Sequence, residues 1–176
     1  MKGNFEQSLE WLLKHEGGFV NDSRDPGGMT NKGITAKTYQ RWLSETIDED
    51  AVVTEETLRN ITDAHVEQIY RQEYWNKVGG DELPSGVDHA VFDWGVNSGT
   101  GRSARALQRI VGVTADGGIG PITMSAVRKM DAAEIVEAMH TRRQAFYERL
   151  STFETFGKGW TRRNDETKEQ ALSLIS

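Results

Sequence analysis

The chain has no cysteine and only three prolines in 176 residues. Without thiols there is neither a disulfide framework nor a thiol nucleophile, a composition suited to folding in a reducing compartment. Few prolines, no low-complexity tract and no internal repeat leave no visible linker, so one compact domain or two tightly packed lobes are expected. Long apolar runs are missing too. The N-terminus MKGNFEQSLEWLLKHEGG lacks a signal-peptide core, and nothing later approaches the ~20 apolar residues of a membrane span; neither secretory export nor membrane insertion is expected. Four scattered histidines, His15, His65, His89 and His140, form no close pair at metal-ligand spacing, which disfavours a zinc site.

Positive charge is scarce in the first part of the chain. Residues 1–99 carry 9 Lys and Arg against 18 Asp and Glu, a net of −9, whereas residues 100–176 carry 12 against 9, a net of +3. The basic part suits an anionic polymer. Arg102, Arg105, Arg109, Arg142, Arg143 and Arg149 read equally well as solvated helix faces. An acidic total and arginines not interleaved with aromatics argue against nucleic acid, and no Gly-rich loop follows a strand pattern to suggest a nucleotide.

What is present is a polar, Gly-rich stretch from His15 to Thr35, HEGGFVNDSRDPGGMTNKGIT. Before it, Phe5, Leu9, Leu12 and Leu13 recur at helical spacing, predicting a helix over 5–15 that stops at Gly17-Gly18. Glu16 then sits where a buried helix meets a loop. A carboxyl so placed is partly desolvated, which favours its protonated form and suits a general acid. Asp25 follows nine positions later beside Pro26-Gly27-Gly28, and Thr30 five after that. Two carboxylates in different surroundings are what glycosidic cleavage requires, one protonating the leaving oxygen and the other serving water or the cationic centre. The bland alternative makes Glu16 an exposed helix-end charge, Asp25 a turn former and Thr30 a cap.

The segments Glu16-Gly17-Gly18-Phe19, Asp25-Pro26-Gly27-Gly28 and Thr30-Asn31-Lys32-Gly33-Ile34-Thr35 resemble, in this order, glycoside hydrolase family 108, which comprises phage endolysins and bacterial muramidases. Glu16 falls on that family's catalytic glutamate. The order Glu, eight residues, Asp, four residues, Thr is also similar to the triad of phage-type lysozymes, which has one more residue before Thr. Tyr70 to Trp75 resembles the family's Y-x-x-x-Y-W segment, and Gly159-Trp160-Thr161-Arg162-Arg163 its Gly-Trp-x-x-Arg. Residues 97–130, with Ala106-Leu107-Gln108, Ala115 to Pro121 and Thr123, look like its C-terminal peptidoglycan-binding region.

The resemblance implies a mainly α, lysozyme-like fold with a small β element near residues 17–35, a catalytic region over 1–96 and a peptidoglycan-binding-like region over 97–176 packed into one unit. It implies peptidoglycan as substrate, a holin-type membrane partner and residence in the host cytoplasm until release to the wall; a monomer is the default for an enzyme that must move through a mesh, and the spacing of ligand-type residues leads to no expected metal or cofactor. Glu16, Asp25 and Thr30 are the catalytic candidates. Asn31, Thr35, Trp75, Asp93 and Asn97 are candidates for substrate binding. A lytic transglycosylase and a non-catalytic wall-binding or secretion-activating protein are the alternatives.

The rest reads as helices: 36–45, a short one capped by Thr54, another from Thr62 or Asp63 to about Trp75, a central apolar one over 85–99, then 101–111, 122–130, a long one capped by Asp131 to about Leu150, and a last one opened by the Gly157–Arg163 segment. In the central helix, Asp88, Asp93 and Asn97 are polar exceptions that need partners. Asp88 reads as structural, and Asp93 and Asn97 lean toward the cleft. Asp116 in the Asp-Gly-Gly-Ile-Gly-Pro turn lacks the spaced oxygen ligands of a calcium loop.

Overall fold

The computed structural model describes residues 3–175 apart from Pro26, so the proline read as part of the turn beside Asp25 lies outside the described residues. The fold is mainly α with one small antiparallel sheet, and the chain divides into two compact units.

One unit is Leu9–Gln72. It takes the last turns of α1 (Asn4–Leu13), the sheet of β1 (Val20–Asn21), β2 (Met29–Asn31) and β3 (Ile34–Thr35) in that spatial order, and α2 (Ala36–Thr46), α3 (Glu55–Arg59) and α4 (Asp63–Tyr70). Each of these last three helices starts at a threonine whose hydroxyl accepts a backbone N–H three residues on, Thr35 from Thr38, Thr54 from Thr57 and Thr62 from His65. Such a cap satisfies a donor the first helical turn leaves open, which is why these starts are local properties of the sequence. Tyr39, Trp42 and Leu43 form the buried face of α2. The Tyr39 hydroxyl bonds His65 Nδ1 at 2.8 Å, and Trp42 Nε1 donates to Gln72 Oε1 at 3.0 Å.

The other unit is residues 1–8 with 73–176, of which 3–8 and 73–175 are described. It contains α5 (Val87–Ser98), α6 (Thr100–Ile110), α7 (Pro121–Val127), α8 (Ala132–Glu148) and α9 (Phe153–Ser173). α5 is buried on every side from Val87 to Gly95 and packs against α6, α8 and α9, so its near-continuous apolarity reflects a central position. Asp88 closes its start, accepting from the N–H groups of Gly86 and His89 and from the Asn4 amide at 2.7–2.8 Å. The 108–123 turn is stitched by one buried side chain. Gln108 donates to Asp116 Oδ1, the Gly118 carbonyl and the Thr123 hydroxyl, and accepts from Gly117 N–H.

Two helix boundaries after α3 differ from expectation, and α8 carries an arginine in its inner stripe. The helix opened by Thr62 ends at Tyr70 and runs on through a wide π turn over Arg71–Trp75 and a 3₁₀ turn over Asn76–Val78. On α8 the inner stripe is Ile135, Val136, Met139, Arg143 and Tyr147, with Phe146 and Leu150 only half-buried. α9 starts at Phe153, because Gly157 does not open the helix but lies buried within it, where an added Cβ would meet the Phe153 ring.

Candidate active site

Every element around Glu16 lies in the Leu9–Gln72 unit. α1 stops at Leu13, earlier than its apolar spacing suggested, because Lys14 N–H bonds the Trp11 carbonyl at 3.2 Å and His15 N–H the Leu12 carbonyl at 2.9 Å. These i to i+3 bonds tighten the chain out of α geometry before Glu16. Glu16 therefore occupies the following loop, half-buried, rather than the helix end. The loop is pinned on both sides: Gly17 accepts from Lys32 N–H at 3.1 Å, and the Phe19 ring lies 3.8 Å beneath the Arg59 guanidinium. Arg59 is itself held by Glu55 at 2.9 Å.

The β2–β3 hairpin closes over this loop. Asn31 pairs with Ile34 across a two-residue turn, and Lys32 and Gly33 both have positive φ, 50° and 76°. That is the I′ turn matching the twist of a hairpin, which favours glycine. Gly33 has a second reason to be glycine. A Cβ there would fall 2.7 Å from Glu16 Oε2 and 2.5 Å from the Tyr70 hydroxyl oxygen. The carboxyl, the bare turn backbone and the phenol thus converge, and the Tyr70 hydroxyl donates to the Lys32 carbonyl at 2.7 Å. The sequence marked Tyr70 as the start of the Y-x-x-x-Y-W segment, and this contact was missed. The available signal was the hydroxyl itself, which in a buried tyrosine needs a partner.

Asp25 lies exposed in the β1–β2 loop, where its Oδ1 accepts from Gly27 N–H at 2.8 Å. Its Oδ2 has no partner among the described residues. Asp22 is tied down instead: its two oxygens bond Arg24 Nε at 3.0 Å and Nη2 at 2.9 Å, and that hydrogen-bonded ion pair holds its carboxyl below the usual range. Thr30 is half-buried on β2, paired with Val20 and Thr35. Alternation along the strand turns its side chain away from the face of Asn31.

Four of the five substrate-binding candidates do structural work. Asn31 is buried and donates its amide to the carbonyls of Leu58 at 2.9 Å and Arg59 at 3.3 Å, closing the end of α3. Thr35 is the cap of α2. Trp75 is 0% exposed, edge-on to Phe5 and Phe92, with its indole N–H on Asp81, so no face is open to a sugar. Asp93 is buried in an ion pair with Arg143 at 2.8 Å and Arg163 at 3.2 Å and accepts from the Thr167 hydroxyl. Burial pushes its carboxyl up, but Arg143 and Arg163 outweigh it and hold the group well below the usual carboxylate range. Arg143, read as one of several solvated arginines, is 2% exposed for this reason. Asn97 alone of the five lies exposed, at the end of α5.

Among the described residues no three His, Asp or Glu side chains come together as metal ligands, and no helix is long and apolar enough to cross a membrane.

The family model described as Glycosyl hydrolase 108 matches residues 9–99, and that of a Predicted Peptidoglycan domain matches residues 102–165. No curated protein matches the chain. Among solved structures, that of Brucella abortus SagA is similar at 42% identity and a TM-score of 0.85, over 99% of this chain and 97% of that one. The likeness supports a mainly α, lysozyme-like fold. With more than half of its residues matched, the chain belongs to glycosyl hydrolase family 108, glycoside hydrolases that act on peptidoglycan.

Proposed function

We propose that the chain is an N-acetylmuramidase that hydrolyses the β-1,4 bond between N-acetylmuramic acid and N-acetylglucosamine, with Glu16 as general acid. The observation that carries this reading is the seating of the Glu16 carboxyl against the side-chain-free backbone of Gly33 and the Tyr70 hydroxyl, within the span matched by the family. A bare turn leaves room for a polymer to approach the acid, and the phenol limits where the carboxyl can swing.

In this mechanism Glu16 gives its proton to the glycosidic oxygen as the bond from that oxygen to C1 breaks. Asp25, assisted by Thr30, takes a proton from a water that attacks C1 from the opposite face, an inverting course. Asp25 is preferred to Asp22 because one of its carboxylate oxygens is uncommitted, whereas Arg24 occupies both oxygens of Asp22. Proton NMR of the first-formed product tests the course: an α-anomer is expected, and a β-anomer would make Asp25 a nucleophile or an electrostatic stabiliser.

The primary test is turbidity loss of outer-membrane-stripped Gram-negative cells, comparing wild type with Glu16→Gln while circular dichroism checks the fold. A loss of roughly 10²–10⁴-fold is expected for a required general acid. Full activity in the folded variant would sink the assignment. Product mass separates a hydrolase from a transglycosylase, whose 1,6-anhydro sugar lacks the added water. Sedimentation with sacculi without release of fragments would instead favour a wall-binding protein. In the endolysin setting, the monomeric enzyme stays in the host cytoplasm until a holin-type partner opens the inner membrane. Expression with and without a holin tests that placement, lysis only on co-expression being expected.

A further inference from the structure

A small cavity lies where α5, α8 and α9 meet, with Trp94, Arg143 and Lys168 among the residues of its wall. It leaves about 10 Å³ for the centre of a water-sized sphere, room for one small molecule or ion and no more. Two hydrogen-bond donors of this wall have no acceptor among the described residues, Nε1 of Trp94 and Nη2 of Arg143. Both residues are 2% exposed, so bulk water does not serve them. A buried donor without an acceptor forfeits the bond it made in water, and here two belong to the wall of one space.

The acceptors nearest Arg143 are committed elsewhere. Asp93 accepts Arg143 Nη1 at 2.8 Å, the Thr167 hydroxyl at 3.1 Å and Arg163 Nη2 at 3.2 Å, and the Tyr147 hydroxyl accepts Arg143 Nε at 2.8 Å. Those bonds fix the plane of the guanidinium and leave Nη2 over. On α9, Asn164 directs its amide hydrogens to the His140 carbonyl at 3.0 Å and to Gln144 at 3.3 Å. Lys168, 28% exposed and 3.6 Å from Glu137, adds an ammonium to the wall, and Val136 and Met139 make part of it apolar.

The nitrogens of tryptophan and arginine donate and do not accept. A guest must therefore accept from both. Water would bring two hydrogens that need acceptors of their own, and the side-chain oxygens of the wall are those of Asn164 and Thr167, the second already turned to Asp93. A spherical anion brings none, and the guanidinium and the Lys168 ammonium favour its charge. Carboxylates and phosphates are too large for the space. We propose that this cavity binds one halide ion, held by Trp94 Nε1 and Arg143 Nη2. The ion ties α5 to α8 beside the buried Asp93 pair, so the stability of the folded chain depends on halide concentration.

The test is thermal unfolding of the full chain in sodium chloride, sodium bromide and sodium gluconate at equal ionic strength, which holds screening constant. The melting temperature is expected to rise by roughly 3 °C for each tenfold of chloride or bromide above the dissociation constant, and to stay level in gluconate, which the cavity cannot admit. Trp94→Phe keeps an aromatic ring and removes one donor, so its rise is expected to begin at about tenfold higher halide. Crystals soaked in bromide are expected to show an anomalous peak within hydrogen-bonding reach of both nitrogens. The two wild-type measurements decide the matter even if Trp94→Phe does not fold. Equal melting temperatures in the three salts, an unchanged halide response in Trp94→Phe, or a water at the site that bromide does not replace overturns the proposal. So does a bromide peak with no response in solution, which is binding at crystal concentration only.

Discussion

Gly33 lies so close to Glu16 that a methyl group added to its α-carbon would sit 2.7 Å from the carboxylate oxygen. Gly33→Ala therefore combines a positive φ of 76° with a collision, and its effect should be largest on the carboxyl it displaces. A conformational cost of about 1–3 kcal/mol and a fall in kcat approaching 10²-fold are expected. Thermal unfolding and steady-state turbidity assays measure the two separately. A variant with unchanged kcat would show that the turn does not set the position of Glu16.

Tyr70→Phe keeps the buried ring and removes the hydroxyl that donates to the Lys32 carbonyl. The lost hydrogen bond should cost about 0.5–1.5 kcal/mol of stability. A positioning role adds a lower kcat at unchanged KM, because the ground-state contacts of a long polymer lie elsewhere. Loss of stability alone would reduce Tyr70 to a brace for the hairpin.

Thr35→Ala should behave as the removal of a helix cap and nothing more. A cost of about 1 kcal/mol is expected, seen as a lower urea midpoint, with KM unchanged. A raised KM in the folded protein would restore Thr35 as a substrate contact.

Acid should weaken the fold in two stages. Burial pushes His89 below its usual range, so as pH falls below ~6.5 the unfolded chain takes up a proton that the folded one refuses, and stability drops until the folded group titrates. The loss is at most about 1.4 kcal/mol per pH unit. Asp93 is likewise depressed, so its contribution is complete above ~3.9 and disappears as pH falls toward its folded value. Urea midpoints between pH 7.5 and 5 should decline for wild type and flatten in His89→Gln. An equal decline in both would assign the first stage to another group.

What the sequence revealed, it revealed locally. The caps at Thr54, Thr62 and Asp131 each act within three residues, and each was readable from the letters alone. Asp93 was legible as a polar residue needing a partner but not as an ion pair, since Arg143 lies fifty positions away on a helix whose spacing gave no sign of a buried cation. Trp75 misled for a related reason. A tryptophan at a helix end has the same letters whether its face is open or, as here, covered by Phe5 and Phe92. Asn31 has the same ambiguity, since an amide that closes a neighbouring helix is indistinguishable in sequence from one that greets a ligand.

Asp93 bonds Arg143 and Arg163, fifty and seventy residues further along the chain, and so its ion pair cannot form until α5, α8 and α9 have all docked. Interactions with such long chain separation are late arrivals on a folding path, whereas capped helices can flicker into place early. The carboxylate should act as a latch on the exit. Its removal in Asp93→Asn would then leave the refolding limb of a chevron nearly where it was and raise the unfolding limb, shortening the lifetime of the folded enzyme more than it slows the chain's arrival there.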